Sequence, residues 1–172
     1  MNLHPLVVHF PIAFLTSYAI LEILPLQRWF PRVSWGEIKF FLVVFGTLGA
    51  FAALETGESV AAQVGQSVRE VVEVHEFFAR ITTAIFSGLA AAYLLAWADQ
   101  RYFSRIANQS KIIALIMEIK NFILKRPVAI VLAIFGIAAV TLTGALGGII
   151  AYGPDTDPVT KIVYSIFFEV GI

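Results

Sequence analysis

The chain has 172 residues, 59% of them hydrophobic and 14% charged, with no cysteine and a formal net charge of zero; its mean hydropathy is +0.83. That composition excludes an ordinary soluble domain and predicts an all-α integral membrane protein. The lack of cysteine excludes disulfides, thiolate metal sites, iron–sulfur clusters held by the chain's own sulfurs and covalent haem attachment, and the balanced charge gives no footing for nucleic-acid binding.

A bilayer core takes roughly 20 mostly apolar residues per helix. Residues 6–26, 38–55, 74–98 and 127–152 meet that requirement and predict a single four-span, up-and-down bundle over residues 1–172. The first segment has no basic residue ahead of it and no small-residue cleavage site behind it, so it is expected to remain as a span. Residues 159–172 are too short to cross. Arg28, Arg32 and Lys39 follow the first span, and Arg101, Arg105, Lys111, Lys120, Lys125 and Arg126 follow the third. These connections are expected on the cytoplasmic side, which puts both termini outside a bacterial inner membrane. The opposite side carries Glu55, Glu58, Glu70, Glu73 and Glu76 and the acidic tail, and Trp29, Trp35 and Trp97 fall near the cytoplasmic boundary as a modest aromatic belt.

Between Ser110 and Arg126, Ile112, Leu115, Ile116, Ile119, Phe122 and Ile123 recur at helical spacing, opposite Lys111, Glu118, Lys120, Asn121 and Lys125. The pattern predicts an interfacial amphipathic helix whose lysines meet anionic lipid, with a docking face for a partner as the less favoured reading.

Two spans share a local pattern. "VHFPIAFLT" (8–16) and "VHEFFARIT" (74–82) each place Val before His, Ala four residues after it and Thr seven after it. On a helix these positions share a face, so His9, Ala13 and Thr16 are expected to match His75, Ala79 and Thr82. With a looser match between "LETG" (54–57) and "LTGALGG" (142–148), this suggests two helical hairpins in parallel repeat about an axis along the membrane normal. His9 and His75 would then oppose each other at one depth, an arrangement suited to axial ligation of haem b. Gly46, Gly49, Gly57, Gly136, Gly144, Gly147 and Gly148 would admit the edges of the macrocycle. The competing readings are a histidine in the headgroup layer or bonded to a carbonyl, and glycines serving helix packing alone.

His4 lies five residues before His9, about 140° round the helix, and with Pro5 reads first as a helix start and only second as a ligand. Pro11 removes an amide bond to the Val7 carbonyl and is expected to bend the helix near His9. Arg80 has Glu76 as an i, i+4 partner, with a haem propionate as its alternative. Tyr152, Glu55 and Thr56 end spans on the same face and are candidates for capping the pocket. Phe51, Phe77, Phe78 and Phe86 read as core or lipid-facing bulk.

Together "HPLVVHFPIAF", "VHEFF" and "LTGALGGIIAYG" resemble the bacterial membrane family domain of unknown function 2231. The family pattern falls on His4, Pro5, His9, Pro11, Thr56, Gly57, His75, Gly147, Gly148 and Tyr152, over nearly the whole chain. It departs after Tyr152, where Gly153 follows at once and "PDTDP" comes next, whereas the family usually has a further residue pair there. The resemblance implies four spans and a role for the histidines, but no activity; relatives fused to cytochrome c or Rieske modules would fit an electron-transfer setting.

The leading expectation is therefore a b-type membrane cytochrome, an electron carrier rather than a stand-alone enzyme, with His9 and His75 as ligands. Ala13, Thr16, Ala79, Thr82, Arg80, Gly57, Gly147 and Tyr152 would surround the cofactor. Its partners would be lipid, a quinol or periplasmic redox protein, and a homodimer mate or larger complex. The rivals are a cofactor-free structural or assembly subunit and an outer-face copper or zinc site built by His4, His9 and His75. No phosphate loop, nucleophile–base set or inward carboxylate pair points to a hydrolase or kinase.

Overall fold

A computed structural model describes residues 4–61, 65–99 and 111–169. In chain order the helices are α1 (His4–Val7), α2 (His9–Ile23), α3 (Leu26–Trp29), α4 (Trp35–Ala61), α5 (Arg69–Ala98), α6 (Lys111–Ile123), α7 (Arg126–Tyr152) and α8 (Pro158–Tyr164), with a 3-10 turn at Gln66–Val68. Four stretches are long and apolar enough to cross a membrane: His4–Ile23, Trp35–Ser59, Arg69–Ala98 and Arg126–Tyr152.

Local chemistry explains the joints. Val8, between α1 and α2, keeps helical angles of φ −63° and ψ −24°, and its amide donates to the His4 carbonyl at 3.1 Å. The first span is thus one rod with a local irregularity a turn before Pro11, where proline leaves the Val7 carbonyl without its amide donor. Leu24, preceding Pro25, turns extended and ends α2. Gly153 ends α7 at φ +92°, a left-handed conformation that glycine adopts without steric cost. Asp157 accepts from the Val159 and Thr160 amides, and Thr160 answers with its hydroxyl, a capping box that starts α8.

Helix α2 packs against α4 and α7, and α5 packs against the same two, so α2 and α5 stand on one diagonal of the bundle. Large side chains meet across that diagonal: the fully buried Tyr18 ring sits edge-on to Phe86 at 6.1 Å and to Tyr93 at 5.9 Å.

The inward-facing residues of the two hairpins match along the chain in a different register from the one the His-Ala-Thr pattern suggests. One constant shift along the chain carries the inward residues of α1–α2 onto those of α5: His4 to His75, Pro11 to Thr82, Leu15 to Phe86, Tyr18 to Leu89, Ala19 to Ala90 and Glu22 to Tyr93. All of these are buried or half-buried. A second constant shift carries α4 onto α7: Val43 to Ala133, Gly46 to Gly136, Ala50 to Val140, Ala53 to Thr143 and Gly57 to Gly147. The glycines confirm the match. A Cβ on Gly46 would stand 2.6 Å from Leu15 Cδ2, and one on Gly136 would stand 2.6 Å from Phe86 Cζ. Equivalent glycines thus receive equivalent bulky side chains, in each hairpin, at the same level.

Helix α6 lies against α5. Its residues Ile112, Leu115, Ile119 and Phe122 are exposed, as an interfacial helix requires, but Lys120 departs from the expected lipid-facing set. It is buried, with its ammonium 2.8 Å from the Asp99 carboxylate, because the stem of Lys120 turns toward the end of α5. Ser110, Arg101 and Arg105 lie outside the described residues. Helix α8 does not cross: Val163 packs with Val71, Ala145, Leu146 and Ile149 and closes one end of the α5–α7 hairpin.

Candidate functional site: two histidines on the bundle axis

His4 starts the first span and His75 lies in the second turn of α5, so the repeat places both at one end of the bundle, on diagonally opposite helices. Each leans on the second helix of its own hairpin. The His75 Nδ1 donates to the Thr143 carbonyl at 3.0 Å. Since a carbonyl only accepts, that bond fixes the hydrogen on Nδ1 and leaves the lone pair of the neutral ring on Nε2. His4 Nδ1 stands 3.0 Å from Thr56 Oγ1, whose own hydrogen is directed to the Ala52 and Ala53 carbonyls at 2.9 and 3.1 Å. His4 therefore donates as well, and the Ala53 carbonyl, counterpart of that of Thr143, also bonds to its ring.

The glycines beside the rings are equivalent too. A Cβ on Gly57 would meet His4 Cε1 at 3.1 Å, and one on Gly147 would meet His75 Cε1 at 3.4 Å. Thr82, two turns deeper on α5, is buried with its hydroxyl 3.4 Å from that of Thr143. Of the residues singled out in the sequence, His75, Gly57, Gly147, Thr82, His4 and Thr56 thus gather at one place.

Others do not join them. His9 is exposed on the outer side of the first span, its Nδ1 donating to the Pro5 carbonyl at 2.6 Å. Ala13 is exposed beside it, and Thr16, on the same turn-and-a-half, is only half-buried. The cause is helix geometry: residues five apart diverge by about 140°, so with His4 on the axis His9 must turn outward. The inward histidines are His4 and His75, and the three-histidine copper or zinc site is not assembled. Among the described residues no group of three His, Asp or Glu side chains could hold a metal ion. Tyr152 is 80% exposed and caps nothing. Glu55 is exposed. Arg80 pairs with Glu58 at 3.3 Å rather than with Glu76, linking α5 to the end of α4, while Ala79 beside it is half-buried. Gly46, Gly49 and Gly136 are occupied in packing against Leu15, Pro11 and Phe86. Phe86 is core, whereas Phe51 and Phe77 are exposed.

The opening His-Pro, the histidine at the start of the third span and the glycine-rich ends of the second and fourth thus belong to one constellation, and a family model covers all of them. The chain belongs to the DUF2231 family. The match to that model, described as a predicted membrane protein, runs over residues 1–156. No curated protein and no solved structure matches the chain. In this DUF2231 chain the matched region ends just short of α8, so the helix that closes the α5–α7 hairpin lies beyond the family's shared part.

One polar group was missed in the sequence. Glu22 is buried near the other end of α2, 3.0 Å from the Lys39 ammonium. A lone carboxylate late in an apolar span was the available signal, because such residues are retained in membranes only with a partner or a task.

Proposed function

We propose that the chain is a b-type haem-binding membrane protein that transfers electrons near the outer face of a bacterial inner membrane, with His4 and His75 as the axial ligands. The observation that carries the reading is the symmetric pair of imidazoles, each held through Nδ1 by backbone or hydroxyl oxygen of the neighbouring helix. That second bond is how ligating histidines are usually oriented, because it fixes the tautomer and raises the basicity of the other nitrogen. Two histidines suffice where a porphyrin supplies four further nitrogens, whereas a bare zinc or copper ion would want a third protein ligand. Haem held by His4 and His75 would supply one-electron redox chemistry.

The chain's own part is to hold and insulate. Gly57 and Gly147 let α4 and α7 approach the rings, Thr56 and the Thr143 carbonyl orient them, and Leu15, Tyr18, Phe86 and Leu89 fill the axis below. The positive-inside pattern of the connections supports a histidine end that faces outside, where a periplasmic redox protein or quinol would reach it. A homodimer or larger complex belongs to the same reading. The test is the absorbance of the chain purified from cells supplied with haem, oxidised and dithionite-reduced. A Soret band with sharp low-spin α and β bands on reduction supports the reading, and a colourless protein refutes it.

A further inference from the structure

At the end of the bundle opposite the histidines, α2, α4 and α5 enclose a second polar cluster. Glu22 Oε2 lies 3.0 Å from Lys39 Nζ and accepts from the Tyr93 hydroxyl at 3.4 Å. The Glu22 and Lys39 side chains are only 7% and 15% exposed. Behind Tyr93, the fully buried Tyr18 hydroxyl adds a further polar group beside Tyr93 and Glu22. Burying an ion pair in a span costs more than an apolar pair of the same volume, so a purely structural purpose would be served better by Leu and Met.

The cluster is also not sealed. It lines a cavity of about 210 Å³, bounded by Glu22, Lys39, Tyr93, Trp35, Leu26 and Arg126. Glu22 and Lys39 both line the cavity, so a carboxylate acceptor and an ammonium stand side by side on its wall. Lys39 and Arg126 offer cations, but a phosphate has no donor for the Glu22 carboxylate beside them. A neutral ring carrying oxygens fits: a hydroxyl can donate to Glu22, a carbonyl can accept from Lys39, and Trp35 and Tyr93 offer aromatic edges. The volume suits one substituted ring, since a cavity of about 150 Å³ holds benzene. Leu24, Pro25 and Leu26 on the rim lead an apolar tail toward lipid.

We propose that this cavity binds the head ring of a lipid-soluble quinone or quinol, between Glu22, Lys39 and Tyr93. The site stands apart from the histidine pair, about 27 Å of helix rise away along the first span, and its occupancy does not depend on haem.

The test uses the full chain in phosphatidylcholine nanodiscs titrated anaerobically with decylubiquinol and, separately, with decylubiquinone, read by quenching of tryptophan fluorescence. Saturable quenching is expected, and most of it should vanish in Trp35→Phe. Glu22→Gln should weaken binding of the quinol, whose hydroxyl donates to the carboxylate, about tenfold, the effect of one lost hydrogen bond to a charged group. Tyr93→Phe, which keeps the ring and the packing, should weaken it by a smaller factor, and His75→Ala should leave it unchanged. Quenching in the wild type that rises linearly with quinone, as simple partitioning gives, overturns the proposal. So does unchanged affinity in both Glu22→Gln and Tyr93→Phe, or loss of quinone binding when phosphatidylglycerol replaces phosphatidylcholine, which would assign the cavity to an anionic head group.

Discussion

Substituting Gly136 by alanine tests the symmetric core directly. The new Cβ would stand 2.6 Å from Phe86 Cζ and 2.9 Å from Cε2, whereas carbon atoms rest at about 3.5–4.0 Å, so ring and helix must separate by about 1 Å. Phe86 cannot yield easily, being fully buried with Tyr18 edge-on against it at 6.1 Å. Overpacking of this kind costs about 1–3 kcal/mol, and the better helix propensity of alanine returns at most about 1 kcal/mol. A net loss of about 1–2 kcal/mol is expected. Phe86→Leu alone opens a hole, but in the Gly136→Ala background the added methyl group fills part of it. A double-mutant cycle on reversible unfolding in mixed detergent micelles should therefore show a favourable coupling of about 1 kcal/mol or more. Additive losses, or a Gly136→Ala protein as stable as the parent, would refute the packing of Phe86 on Gly136. Gly46→Ala should cost a similar amount, because the new Cβ would stand 2.6 Å from Leu15 Cδ2, 2.9 Å from its Cγ and 3.1 Å from Phe14 Cβ.

Three further outcomes follow from the polar contacts. Lys39→Met leaves the Glu22 carboxylate buried without its cation and should cost about 3–5 kcal/mol, whereas Lys39→Met with Glu22→Leu should recover most of that in the same unfolding assay. Lys120→Met breaks the 2.8 Å contact that ties α6 to Asp99, so amide exchange in α6 should rise markedly; Lys161→Met, whose partner Asp155 is fully in solvent reach, should change nothing. Asp157→Ala removes both capping bonds of α8 and should cost about 1 kcal/mol locally, seen as faster exchange at Val159 and Thr160.

Much of this architecture is legible in the residues. That there are four apolar helices long enough to cross follows from hydropathy. The repeat was legible in kind but not in register. "VHFPIAFLT" and "VHEFFARIT" match at four positions, yet that match aligns a lipid-facing strip of α2 with an inward strip of α5. Apolar residues occupy every face of a membrane helix, so identity at apolar positions says little about which face is inside. The reliable marks were bulk against glycine, Leu15 on Gly46 and Phe86 on Gly136, which appear only once two helices are brought together. His4 looked like a helix start because it stands beside Pro5, and it is one. Its first-turn position is also what lets the ring reach Thr56 at the end of α4. Arg80 and Lys120 found partners from other helices, Glu58 and Asp99, that spacing along one helix could not reveal.

The measurement that bears most directly on the account is the haem spectrum of three single variants, His4→Ala, His75→Ala and His9→Ala, purified beside the wild type. The account predicts that His4→Ala and His75→Ala each lose the low-spin bands while His9→Ala keeps them at full intensity. Loss of those bands in His9→Ala with retention in His4→Ala would contradict it.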